Sequence, residues 1–294
     1  PADMPAPLEF HADWNIGEPD VVYEMPEKVV SDPMGVVPYR YYTTDLKLTE
    51  DRYIQKMEVL PGNRKVVHHI IVFLQPPGQA GFSEDGFTNT MLDVYAPGSP
   101  PGDLPAGLGR KVPAGSKLVW QVHYTPTGKE EVDKSRFGIV WAKEKPETIV
   151  RTATIVNTDF VIPPHNPKYV VEADMDIPHD ATIYSFTPHM HYRGTAMDFF
   201  LTYPDGKEVL ACSIPNYDFN WQLDYKLAEP LNVPAGTNLR VVGVFDNSDG
   251  NPYNPDPSKS VRWGEQTWEE MLMGGVFMSW DDEEAATADH GTTD

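Results

Sequence analysis

Cysteine is nearly absent: Cys212 is the only one in 294 residues. A single thiol excludes an internal disulfide framework, a CxxC redox pair and a cysteine-built zinc site. Basic residues are scarce as well, 23 against 44 acids, for a formal charge of −21. Nucleic acids and anionic membrane surfaces need a basic face, so no nucleic-acid partner is expected. Long apolar runs are missing too. The longest, around Val66–Leu74, is broken by two histidines, and no membrane insertion is expected. No stretch of fifteen residues keeps a helical repeat. No Asn-x-Ser/Thr glycosylation acceptor is present, and no signal peptide; a chain opening on Pro1 reads as processed or trimmed.

What the chain does have is 29 prolines and 22 glycines without a repeat period, which punctuate short runs rich in Val, Ile, Tyr, Phe and Trp. Such runs read as strands. They include Lys65–Leu74, Lys117–Tyr124 and Phe137–Ala142, then Tyr169–Met175, Thr182–Thr187, Ala196–Tyr203 and Asn238–Phe245. Residues 1–20 are expected to form an arm on the surface. Residues 281–294 form an acidic tail; without its six acids the body still carries −15. Val112-Pro-Ala-Gly-Ser-Lys-Leu118 is echoed by Val233-Pro-Ala-Gly-Thr-Asn-Leu239. The echo reads either as a common turn used twice or as two β-sandwich domains in tandem, 21–147 and 148–280, with Lys143–Thr148 as the hinge.

Nine histidines stand at 11, 68, 69, 123, 165, 179, 189, 191 and 290. On a strand, residues two apart share a face about 6–7 Å apart, so His189 and His191 read as a polar face or as a pair of metal ligands. His68 and His69 are neighbours. On a regular strand they face opposite sides, and only a local twist or the use of different ring nitrogens lets both reach one metal. His123 lies in the apolar run Leu118–Thr125 and reads either as a satisfied core histidine or as a ligand. His11, His165, His179 and His290 read as structural or surface residues. The oxygen-rich stretch 246–256 lacks EF-hand spacing and reads as an Asx-turn loop. No Walker A, nucleophile-elbow or HExxH pattern occurs. Histidines joined by a methionine would select copper, since a thioether favours Cu(I).

Five motifs in order carry a resemblance: Val67-His-His-Ile70, Gln121-Val-His-Tyr124, Ile162-Pro-Pro164, His189-Met-His191 and Glu270-Met271. Together they resemble the copper type II, ascorbate-dependent monooxygenases, the peptidylglycine α-hydroxylating and dopamine β-monooxygenases, in the style of a bacterial relative. The resemblance implies an all-β chain of two tandem antiparallel, jelly-roll-like β-sandwich domains with one copper ion on each. It implies an electron-storing copper on His68, His69 and His123, and an oxygen- and substrate-binding copper on His189, His191 and Met271. Gln121 matches a glutamine that helps couple the two sites, and also reads as a plain surface glutamine. The implied reaction is hydroxylation of an aliphatic or benzylic C–H of a small organic substrate. It uses O2 and ascorbate or another electron donor; the acidic charge favours a basic redox protein. A periplasmic or secreted location is expected. The family's carboxylate-gripping Arg, Asn and Tyr are replaced by Thr187, Met273 and Gly275, so a glycine-extended peptide is not the expected substrate. Two rivals remain at this stage: a non-catalytic copper-binding or electron-transfer protein, and a zinc hydrolase, for which no acid stands beside His189 and His191.

Overall fold

The computed structural model describes residues 14–25, 29–31, 37–79, 90–96 and 101–282. Among these the chain is all-β: its strands form antiparallel sheets and no helix is present. Among the described residues no helix is long and apolar enough to cross a membrane. The described residues divide into two compact units between Glu147 and Thr148, except that residues 90–91 group with the second.

In the first unit one sheet runs Val21–Glu24, Arg136–Trp141, Arg52–Leu60, Leu108–Val112, joined by antiparallel ladders. A second runs Arg40–Asp45, Lys117–Tyr124, Val67–Gln75, Met91–Tyr95. Alternation along the strands sends Ile54, Val59, Phe137 and Ile139 of one sheet and Ile70, Val72, Trp120 and Val122 of the other into a shared core. Trp120 meets Phe137 edge-on with centroids 6.3 Å apart. The described part of the N-terminal arm is docked. Asn15 and Ile16 donate backbone N–H groups to Glu58, and Arg136 lies over the Trp14 ring. His11 and the rest of the arm, with His290 and residues 283–294 of the acidic tail, lie outside the described residues.

The second unit repeats the architecture. One sheet orders Thr148–Asn157, Leu272–Trp280, Ala181–His189, Tyr225–Val233. The other orders Tyr169–Ile177, Thr237–Phe245, Gly194–Thr202, Glu208–Ile214. Ile183, Phe186, Phe199, Val241, Leu272, Val276 and Met278 fill the space between them. The two Pro-Ala-Gly turns have one geometry. Gly115 and Gly236 sit at φ 76° and 80°, and Ser116 and Thr237 each donate their N–H to the carbonyl of the turn's proline at 3.2 Å. A turn with positive φ at its third residue favours glycine, which explains why the same tripeptide serves both places.

The glycine pair in Leu272–Trp280 shows the two faces of this sheet. A Cβ on Gly274 would stand 2.6 Å from Val241 Cγ2 and 2.9 Å from Phe199 Cε1, inside the core. The nearest atoms to a Cβ on Gly275 belong to Thr187, at 3.2 Å, on the opposite face. Gly274→Ala is therefore expected to destabilise by about 1–3 kcal/mol through overpacking, and Gly275→Ala, whose Cβ meets Thr187 at 3.2 Å rather than 2.6 Å, by less. Urea midpoints of the two variants test this, and equal midpoints would contradict the assignment of faces.

Candidate metal centres

Three histidines converge in the first unit. His69 pairs with His123 across the ladder between Val67–Gln75 and Lys117–Tyr124, and the register shifts between Val67 and His69. The shift marks a β-bulge, which inserts one extra residue and turns two neighbours toward one side. That is how adjacent His68 and His69 come together. Ligand nitrogens of His68, His69 and His123 all lie within 4.8 Å of one another. The Nδ1 atoms of His68 and His69 are 3.1 Å apart, and His123 Nδ1 is buried without a hydrogen-bond partner. Burial lowers the His68 pKa, and burial together with His68 lowers that of His123 to about 4. At neutral pH these rings are uncharged. Gathered imidazole lone pairs and one orphaned buried nitrogen are costly unless a cation joins them. Metal–nitrogen bonds of about 2.0–2.1 Å suit this spacing.

One aromatic neighbour packs on this cluster. Tyr39 stacks on His123 with centroids 4.5 Å apart and an 11° interplanar angle, and leans on His69 at 5.3 Å. Sequence reasoning missed Tyr39, because it precedes the strand Arg40–Asp45 and only the pairing of that strand with Lys117–Tyr124 brings it here. Gln121 is buried, 3% exposed, and donates to the Tyr41 hydroxyl at 2.7 Å. The structure therefore ties Gln121 to Tyr41 and rules out a plain surface glutamine.

In the second unit His189 pairs with Met273 and Thr187 with Gly275. Leu272, Val276 and Met278 enter the core, so by strand alternation Met273, Gly275 and Phe277 face the other way, alongside Thr187 and His189. The His189 and His191 rings are perpendicular, centroids 5.2 Å apart. His189 Nδ1 donates to Gln222 Oε1 at 2.5 Å, and the amide orientation follows from Gln222 Nε2 donating to the Phe219 carbonyl. His191 Nδ1 lies 3.3 Å from the Glu269 carbonyl, which only accepts. Both rings thus carry their proton on Nδ1 and their lone pair on Nε2, the arrangement of metal-ligating histidines held from behind by an acceptor. Burial lowers the His189 pKa, opposed by the Gln222 hydrogen bond.

The surrounding loop is well anchored. The Tyr217 hydroxyl accepts from Met190 N and donates to Met190 O, and Phe219 stands edge-on to His191 at 6.1 Å. Met271, 8% exposed, follows the fully buried Glu270, whose carboxylate accepts the His191 N–H at 2.8 Å. Met271 is thereby held at the His191 end of the sheet, while Met273 stands directly across from His189. The resemblance assigned the ligand role to Met271; the strand register is what sets Met273 across from His189. Gln222 and Phe219 carried no motif and were missed as well.

The remaining described histidines stay apart from both groups. His165, at φ 52°, has Nδ1 2.7 Å from Asp249, and His179 meets Trp280 edge-on at 5.6 Å. In the loop 246–256, Asp246, Asn251, Asn254 and Asp256 cap backbone N–H groups two residues ahead, and Asn247 bonds Pro163 and Lys259, as expected of Asx turns.

No protein-family profile matches the chain, and no curated protein matches its sequence. Among solved structures it is similar to the infectious bursal disease virus Gt strain structure. That match has 10% identity and a TM-score of 0.24, and covers 90% of this chain and 71% of that one. It is also similar to the infectious bursal disease virus VP2 subviral particle, with 11% identity and a TM-score of 0.23, covering 87% and 84%. Likeness at this level carries no argument about fold or function.

The lowered His123 pKa makes a pH prediction for the metal-free protein. Between about 4 and 6.5 the unfolded chain holds this proton and the folded chain does not. Folding stability therefore falls as pH drops through that window. His123→Asn should remove part of the fall, on the order of 1–2 kcal/mol. Urea unfolding in the presence of a chelator, at neutral pH and near the lower limit, measures it. Identical pH dependence in both proteins would contradict the burial of a neutral imidazole.

Proposed function

We propose that this chain is a copper-dependent monooxygenase. It holds one copper ion on His68, His69 and His123 and a second on His189, His191 and Met271. The observation that carries this reading is the pairing of two histidine groups of opposite construction. One brings three imidazoles together, with ligand nitrogens within 4.8 Å of one another, and the other fixes Nδ1 behind the rings so that Nε2 is the ligand atom. The donor sets fit copper: imidazole serves both oxidation states, and a thioether favours the reduced one. Bound copper supplies one-electron redox chemistry and the activation of O2. Overall, a substrate R–H, O2, two electrons and two protons give R–OH and water.

The chain's own residues hold and orient. Gln222 and the Glu269 carbonyl fix the two rings of the second unit, and Tyr39 braces His123 in the first. Thr187, His189, Met273, Gly275 and Phe277 share a face with Ser185 and, across from it, Lys226. The apolar members of this face, Met273 and Phe277, support a small substrate offering an aliphatic or benzylic C–H. Two electrons come from ascorbate or another donor; a charge of −21 favours a basic redox protein over an anionic reductant. A periplasmic or secreted location belongs to the same reading.

The test is O2 uptake by the copper-loaded chain with ascorbate and a panel of small alkyl-aromatic compounds, with isotopically labelled O2. Substrate-dependent uptake and one labelled oxygen in the product are expected. Copper binding without either would leave a copper-binding or electron-transfer protein.

The thioether is tested separately. Met271→Ile keeps apolar bulk and removes the sulfur. It should weaken Cu(I) retention in the second unit about tenfold or more, the scale at which even residues behind the ligands act, and weaken Cu(II) retention less. Met273→Ile, across from His189, should have the smaller effect. A larger loss in Met273→Ile would move the ligand to Met273, and equal loss of both oxidation states in Met271→Ile would make Met271 a packing residue.

A further inference from the structure

Glu270 is 0% exposed, and its two carboxylate oxygens do different jobs. Oε2 accepts the His191 N–H at 2.8 Å and Oε1 accepts the Arg193 N–H at 2.6 Å. The carboxylate therefore bridges the first and third residues of the turn His191–Arg193. Glu270's own backbone is held as well: its N–H donates to the Arg262 carbonyl and its carbonyl accepts from Gly264 N–H. Gly264 leaves room for this segment, since a Cβ there would stand 2.1 Å from the Glu269 carboxyl carbon. Glu269, whose carbonyl faces His191 Nδ1, accepts Gln266 N–H on its side chain.

Behind the carboxylate lies Arg193, 2% exposed. Its Nε donates to Asn247 Oδ1 at 2.8 Å and its Nη1 to the Trp268 carbonyl at 2.9 Å, with Nη1 3.9 Å from Glu270 Oε1. A charged group is seldom buried in a protein unless it is paired and hydrogen-bonded. Here the pairing joins two segments far apart in sequence: the turn after the His-x-His pair and the residues leading into Met271.

We propose that Glu270 is a positioning residue that locks the His191 turn to the Met271 segment, so that imidazole and thioether are assembled before copper arrives. The inference rests on the copper reading above and deepens it. Loss of the bridge would free His191 and Met271 to drift apart without altering either ligand. The cost then appears as weaker, less selective metal binding, as residues that orient ligands commonly show.

Glu270→Gln and Glu270→Asp test it. Gln replaces one acceptor oxygen with an NH2 that faces a backbone N–H, and Asp keeps both oxygens on a shorter arm. Asn247→Ala is the comparison: it contacts the same buried Arg193 but neither turn N–H nor methionine segment. Three quantities are read on the full chain: melting temperature, Cu(I) affinity of each site by competition with a chromophoric chelator, and the Cu–S contribution to the copper X-ray absorption spectrum. Glu270→Gln should lose affinity at the second site by about 10–100-fold with loss of the Cu–S contribution, while the first-unit site is unchanged. Asn247→Ala, even at an equal drop in melting temperature, should keep both affinity and sulfur. Glu270→Asp should fall between them.

Unchanged Cu(I) affinity and Cu–S signal in Glu270→Gln would overturn the proposal. So would equal copper losses in Asn247→Ala, or a failure of both Glu270 variants to fold, since each makes Glu270 a purely structural residue. A wild-type chain that binds no copper at the second site, or binds it without sulfur, would instead overturn the underlying reading.

Discussion

Strand alternation is the constraint on which both histidine groups depend, and each unit meets it differently. In a regular strand His68 and His69 would point to opposite faces. The bulge between Val67 and His69 breaks the alternation at that one place, and His123 then arrives from the neighbouring strand in direct register with His69. In the second unit the register shifts earlier, between Ile183 and Ser185, and alternation then holds up to His189, which puts His189 and Thr187 on the face away from the core. The strand then ends, and the turn carrying His191 is held by hydrogen bonds rather than by a ladder.

The two groups also differ in what lies behind them. The first is braced by an aromatic stack, Tyr39 on His123, and leaves imidazole nitrogens facing one another. The second is braced by polar acceptors, Gln222 and the Glu269 carbonyl, and by the buried Glu270–Arg193 pair. Stacking leaves the ring nitrogens to the metal, whereas an acceptor behind each ring fixes its tautomer. A site exchanging electrons with little rearrangement and a site favouring Cu(I) would use these two kinds of support.

Much of the β architecture was legible in the sequence. The runs at 117–124, 182–187 and 238–245 combine β-branched and aromatic residues with turn-forming ends and lie in the strands Lys117–Tyr124, Ala181–His189 and Thr237–Phe245, and the repeated Pro-Ala-Gly needs glycine at positive φ in both places. Candidate ligands were legible because histidine is rare in apolar strands. What could not be read was everything that depends on long-range register. Tyr39 reaches His123 from 84 positions away, and Met273 finds His189 across the same distance. Gln222 comes from a loop with no motif of its own. Glu270 was visible as a letter before Met271, but its role depends on its burial and on two backbone N–H groups 77 and 79 positions upstream.

The central claim is that one chain holds two separate copper sites built on different histidines. The most direct measurement is the copper content, after reductive loading and desalting, of the wild type, His123→Ala and His189→Ala. Two copper ions per chain in the wild type and one in each variant is the predicted result. One copper in the wild type, or a count that neither substitution changes, would contradict it.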